Sequence, residues 1–187
     1  QLLVKPELEQ EARQVFAETG IRIVTGSLRY LGSEIGSEEA VAESVQQRVA
    51  KWKEELKKLT EIAKTEPHAA YAAISHGLRG RWTYLLRTVP FPAQCLTDLD
   101  KVITEELLPA LAGRDSFLPE ELNLLRLPCR LGGMALPCFQ QMGTAELPAS
   151  RAVTALQVEE IVHQNDQYTH SSTEDVRQAA LSEKTRR

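Results

Sequence analysis

Val45, Val49, Trp52, Leu56, Leu59 and Ala63 recur at intervals of 4, 3, 4, 3 and 4 residues, the spacing that lines one side of an α-helix. The pattern predicts a helix from Ser37 to Glu66, roughly 45 Å long at about 1.5 Å per residue. Ser37 is placed as its N-cap. Glu54 with Lys58 and Lys57 with Glu61 balance one another on the outer face, so those lysines read as a solvated surface. Pro67 closes this helix and opens a second. Tyr71, Ile74, Leu78, Trp82, Leu85 and Val89 repeat at 3, 4, 4, 3 and 4, which lets an antiparallel helix pack against the first with Trp82 in the seam. Pro90-Phe91-Pro92 breaks it. Thr97 and Asp100 stand in capping-box spacing and announce a third helix carrying Leu99, Val102, Ile103 and Leu107. Pro109 should kink or end that helix.

The flanks are patterned more weakly. Leu2 to Lys5 is a short apolar run suited to the end of a buried strand, and Pro6 opens a helix in PELEQEARQVFAETG that Gly20 closes. IRIV and LRYLG flank TGS, which predicts a β-hairpin turning at Gly26. Pro119 begins a short helix through Leu125, LPCRLGGMALP reads as a loop, and another helix is expected from about Ser150 to Gln164. The fold class is therefore mainly α with a small β portion (α+β): a strand and hairpin at the N-terminus, then a helical bundle. Residues 165–187 read as a polar linker or tail.

Composition narrows the function classes. The chain has 187 residues, 42% hydrophobic and 26% charged, enough for one ordinary domain. No window is apolar for the roughly 18 residues a membrane helix needs, so no membrane partner is expected. No charged n-region and apolar run follow Gln1, so a fragment or processed product without a signal peptide is expected. Three cysteines, Cys95, Cys129 and Cys138, without a C-x-x-C pair suggest reduced thiols in an intracellular protein. Cys129, Cys138 and His163 match no metal-site spacing. The net charge of −4 argues against nucleic acid, but the distribution argues the other way. No acid occurs between Pro67 and Pro90, where Arg79, Arg81 and Arg87 lie, or between Asn123 and Ala145, where Arg126 and Arg130 lie.

Catalytic signatures are missing. There is no Walker sequence, no G-x-G-x-x-G after a strand and no nucleophile elbow. Asp98 and Asp100 suit a helix start better than a metal, and His68, His76, His163 and His170 lack ligand spacing, so no catalytic or metal residue is assigned. The segment SHGLRGRWTYLLR is the conspicuous one. On a helix, His76, Arg79 or Gly80, Thr83 and Arg87 share one side, opposite Leu78, Trp82 and Leu85. Each interior glycine costs about 1 kcal/mol relative to alanine. Either a neighbouring helix or a phosphate backbone approaching bare main chain would offset that cost.

Taken in order, LVKPE, RYLGSEIGS, EIAKTEPHAAYAAISHGLRGRWTYLLRTVP, LLPALAGR and LPCRLGGMAL resemble the region that follows the catalytic aspartates in reverse transcriptases of eukaryotic, non-long-terminal-repeat-like retroelements. The resemblance runs from about Leu2 to Gln164, and the long central block is its specific part. It implies that residues 1–36 form the end of a palm, with Tyr30, Leu31 and Gly32 matching the primer-grip turn. It further implies that 37–113 form a thumb-like bundle, followed by a post-thumb region over 114–164. The chain has no Tyr-x-Asp-Asp, so the carboxylates that hold Mg in such polymerases are expected upstream of Gln1. No cofactor is expected in this chain, and no activity from it alone. The implied partners are a template–primer duplex of RNA and DNA and the upstream palm and fingers of the same polypeptide. A thumb grips backbone, work that suits Arg79, Arg81, Arg87, Gly77, Gly80 and His76, with Arg114, Arg126 and Arg130 in second rank. The rival expectation is a helical protein-interaction module without a nucleic-acid role.

Overall fold

A computed structural model of the chain describes residues 1–164, 174, 175, 177–179, 181 and 182. The expected tail from residue 165 otherwise lies outside the described residues. The architecture is mainly helical with a small β portion.

The first strand, β1 (Leu2–Leu3), pairs in parallel with β2 (Ile23–Val24), Leu2 opposite Ile23. A 3-10 turn (Pro6–Leu8) and helix α1 (Glu9–Val15) make the crossover that a parallel pair requires. The hairpin is one strand later than the TGS turn suggested. It pairs β3 (Ser27–Tyr30) with β4 (Ser33–Gly36) around Leu31 and Gly32. Their φ values of 48° and 86° are the successive positive pair that matches the twist of two-residue hairpins. The IRIV run is taken by its long-range partner β1, so Gly26 becomes the corner between two small sheets.

Helix α2 (Glu38–Ala63) follows, with Ser37 Oγ accepting from the Ala40 N–H at 3.3 Å. Val45, Val49, Trp52, Leu56 and Ala63 are buried as expected, but near the end Thr60 is buried while Leu59 is only partly so. A strict 4, 3 repeat drifts around a straight helix, and by this turn the seam has moved by one residue. Thr60 fits because its hydroxyl donates to the Leu56 carbonyl at 3.0 Å.

Helix α3 (Pro67–Ala72), a π-helical segment (Ala73–Leu78) and α4 (Arg79–Thr88) run on without a break. After Pro92 comes α5 (Ala93–Lys101), a second π segment (Val102–Leu107) and α6 (Leu108–Ala112), which ends at Gly113 in the left-handed region. Pro109 does not stop this helix. It offers no N–H to the turn before it, and the widened π geometry of that turn accommodates the loss. In α7 (Pro119–Arg126), Glu121 accepts the Leu118 N–H at 2.8 Å and is clamped by Arg114 at 3.0 and 2.6 Å.

The last long helix, α8 (Phe139–Val162), begins well before Ser150. Gly143 and Pro148 weaken it locally, but tertiary contacts override them. A Cβ at position 143 would stand 2.3 Å from Leu96 Cδ1, so the glycine is what lets α8 lie close on α5. Thr97 and Asp100 do not cap their own helix, which starts earlier, at Ala93. The buried Asp100 accepts the Phe139 and Gln140 N–H groups of α8 at 2.7 and 3.0 Å, and Thr97 accepts from the Gln140 amide at 2.6 Å. Asp100 thus caps another helix, and Thr97 holds only that helix's Gln140 side chain. Phe139 then enters the core, its ring 5.0 Å from Trp82 and 6.0 Å from Trp52, while Phe91 stacks on Trp52 at 5.4 Å.

Candidate nucleic-acid interface

The buried side of α4 carries Trp82, Leu85 and Leu86, and that anchoring turns its other side outward. There an open furrow of about 500 Å3 is lined by Ser75, His76, Arg79, Gly80, Thr83, Tyr84 and Arg87. No acid stands among its described lining residues, although the Glu146 carboxylate meets the furrow's edge through Arg87. The π segment that precedes it places His76 and Gly77 at the surface; extra-residue turns of this kind widen a helix and expose main chain. A Cβ on either Gly77 or Gly80 would meet nothing within 4 Å. Close packing of a neighbouring element is therefore not what offsets these glycines; in this fold that role belongs to Gly143.

Three polar contacts tie the furrow to its surroundings. Tyr84 donates its hydroxyl to the Leu31 carbonyl, and its ring lies under Gly32, where an added Cβ would be 3.3 Å away. The Tyr30-Leu31-Gly32 turn thus abuts the furrow, with Tyr30 and Leu31 exposed. Arg79 Nη1 donates to the Ala135 carbonyl at 3.3 Å, which fixes the LPCRLGGMALP loop together with the bond from Tyr71 Oη to the Met134 carbonyl at 2.7 Å. Arg87 Nε donates to the buried carboxylate of Glu146 at 2.7 Å.

The sequence candidates therefore divide. His76, Arg79, Gly80 and Arg87 come together, and Gly77 lies exposed one residue from His76. Arg81 does not join them: it projects toward α2, where Nη2 meets Glu55 at 3.4 Å. Arg114 is occupied by Glu121 and by the Phe117 ring, 4.1 Å from its guanidinium carbon. Trp82 is fully buried and is core. Sequence reasoning missed Tyr84, although an aromatic lying off the apolar stripe of a helix is a signal that can be read.

Comparison with known proteins adds no relative. The sequence matches no protein-family model, and no curated protein and no solved structure matches it. Among the described residues no group of three or more His, Cys, Asp and Glu is placed to hold a metal ion. Burial pushes the Cys138 thiol above its ordinary range, and the Asp100 carboxylate beside it adds to the effect. It is a neutral packing group at physiological pH.

Proposed function

We propose that this chain is the palm edge and thumb of a eukaryotic retroelement reverse transcriptase, and that the furrow on α4 grips the backbone of an RNA/DNA template–primer duplex without sequence preference. In this reading the chain is not catalytic by itself, and Mg and its carboxylates belong to the palm and fingers of the parent polymerase. One observation carries the proposal: a furrow with no acid among its described lining residues, in which Arg79 flanks glycine main chain that no described residue covers. A sugar-phosphate chain needs that combination, because phosphate oxygens are met by guanidinium groups and by close approach to the peptide backbone. Arg79 spends one N–H on Ala135 and keeps its other donors for a ligand.

The test is fluorescence anisotropy with an RNA/DNA hybrid across a salt series. Arg79→Ala is expected to weaken binding and lower the slope of log affinity against log salt by about 0.9, the share of one phosphate contact. Gly80→Ala is expected to raise thermal stability by about 1 kcal/mol, since a helix gains from alanine where space is open, while weakening hybrid binding. Arg87 is left in place because it clamps Glu146. Unchanged affinity and slope in both variants would overturn the reading. A second reading, a helical protein-interaction module, is favoured by Val158, Ile161 and Val162, which are 53%, 75% and 69% exposed on α8. It predicts partner binding that is indifferent to salt and is lost on Ile161→Asp.

A further inference from the structure

The second half of helix α8 has a free outer side. Glu146, buried, and Val153, Leu156 and Glu160, partly buried, mark its inner side. At about 100° per residue, the opposite side carries Pro148, Ala155 and Val162, and all three are exposed. Arg151 and Val158 border this line on one edge, Ala152 and Glu159 on the other, and these four are exposed as well. The outer side is turned away from α4, whose Arg87 meets Glu146 on the inner one.

This face holds two charges of opposite sign. Arg151 and Glu159 stand at equal distances on either side of Ala155, and neither forms an ion pair among the described residues. They are about 12 Å apart along the axis at 1.5 Å per residue, too far for one to neutralise the other within the helix. A second copy laid antiparallel, with a two-fold axis through Ala155, brings together positions equidistant from that residue. Arg151 then meets Glu159 of the second copy, and Glu159 meets its Arg151. Ala152 falls opposite Val158, Pro148 opposite Val162, and Ala155 opposite itself, where a small side chain lets the backbones approach. Each charge meets its opposite and each valine a smaller apolar residue. A parallel copy would instead set Arg151 level with Arg151 and Glu159 level with Glu159.

We propose that the outer face of α8 is a self-association surface, through which two copies of this chain pair antiparallel about Ala155. Charge complementarity identifies the occupant: the surface that fits this face is the face itself. One helix pair buries less than a permanent interface does, so the pairing is weak and concentration-dependent. The inference depends neither on the furrow nor on a foreign partner.

Sedimentation equilibrium of the full chain, from about 1 to about 100 μM, the range of a weak complex, tests it. The weight-average mass is expected to rise from that of one chain towards that of two. Ala155→Asp, at an exposed position, sets two carboxylates face to face on the two-fold axis and should hold the mass at one chain. Arg151→Glu and Glu159→Arg each reverse two contacts at once, and each should weaken pairing by about tenfold or more. An equimolar mixture of these two variants should pair again, because the mixed dimer regains both Arg–Glu contacts. The double variant Arg151→Glu, Glu159→Arg should pair by itself. Rescue on mixing has no explanation inside a single chain, so it separates this contact from an effect on folding. The mass of one chain at every concentration, pairing that survives Ala155→Asp, or charge reversals that mixing does not repair would each overturn the proposal. None of these results bears on hybrid binding through Arg79.

Discussion

Trp82→Ala is expected to destabilise the fold by about 4 kcal/mol, a drop in melting temperature on the order of 10 °C for a chain of this size. The indole is fully buried and meets Trp52 edge to face at 6.3 Å and Phe139 at 5.0 Å. Truncation removes the largest fully buried side chain among the described residues and opens a cavity between α2, α4 and α8. Trp82→Phe should cost far less. Much of the ring contact survives, and the indole Nε1, buried without a hydrogen-bond partner, is no longer there to be satisfied. Urea unfolding of the two variants separates the effects. A loss of hybrid binding in Trp82→Ala at undiminished stability would instead place this residue in a stack with nucleic-acid bases.

Asp100→Ala is expected to cost about 3 kcal/mol, the second-largest effect. The carboxylate is 8% exposed and accepts two main-chain N–H groups at the start of α8, with the Cys138 thiol at 3.6 Å. Removing it leaves buried donors unmet and takes a negative charge from the positive end of the helix dipole. Asp100→Asn keeps the shape but offers one acceptor oxygen where two were used, so an intermediate loss is expected. Hydrogen exchange should show the first turn of α8 opening before the core of α2. Phe139 both donates to Asp100 and packs on Trp82, so the double variant Trp82→Ala, Asp100→Ala should lose less than the sum of the two.

The local signals that survived folding are those that one segment can satisfy by itself. The stripe on α2, its Ser37 cap and the Trp82 seam of α4 were legible because helical periodicity writes its buried face into the spacing. The candidate site was legible in part. His76, Arg79, Gly80 and Arg87 share a helix face, so their grouping follows from spacing alone, and the same spacing turns Arg81 about 200° from Arg79, toward Glu55 of α2.

The chain by itself determined its mainly helical class, the positions of its two longest apolar stripes and an acid-free arginine segment. Tertiary structure decided which strands pair, that Asp100 caps a helix 39 residues further on rather than its own, and that α8 forms through Gly143 and Pro148. It also decided that Gly77 and Gly80 face open space while Gly143 is wedged against Leu96. A glycine or an aspartate carries the same local preference in either setting. Only the neighbour brought up from far along the sequence determines whether its missing side chain or its charge is used for packing, for capping or for a ligand.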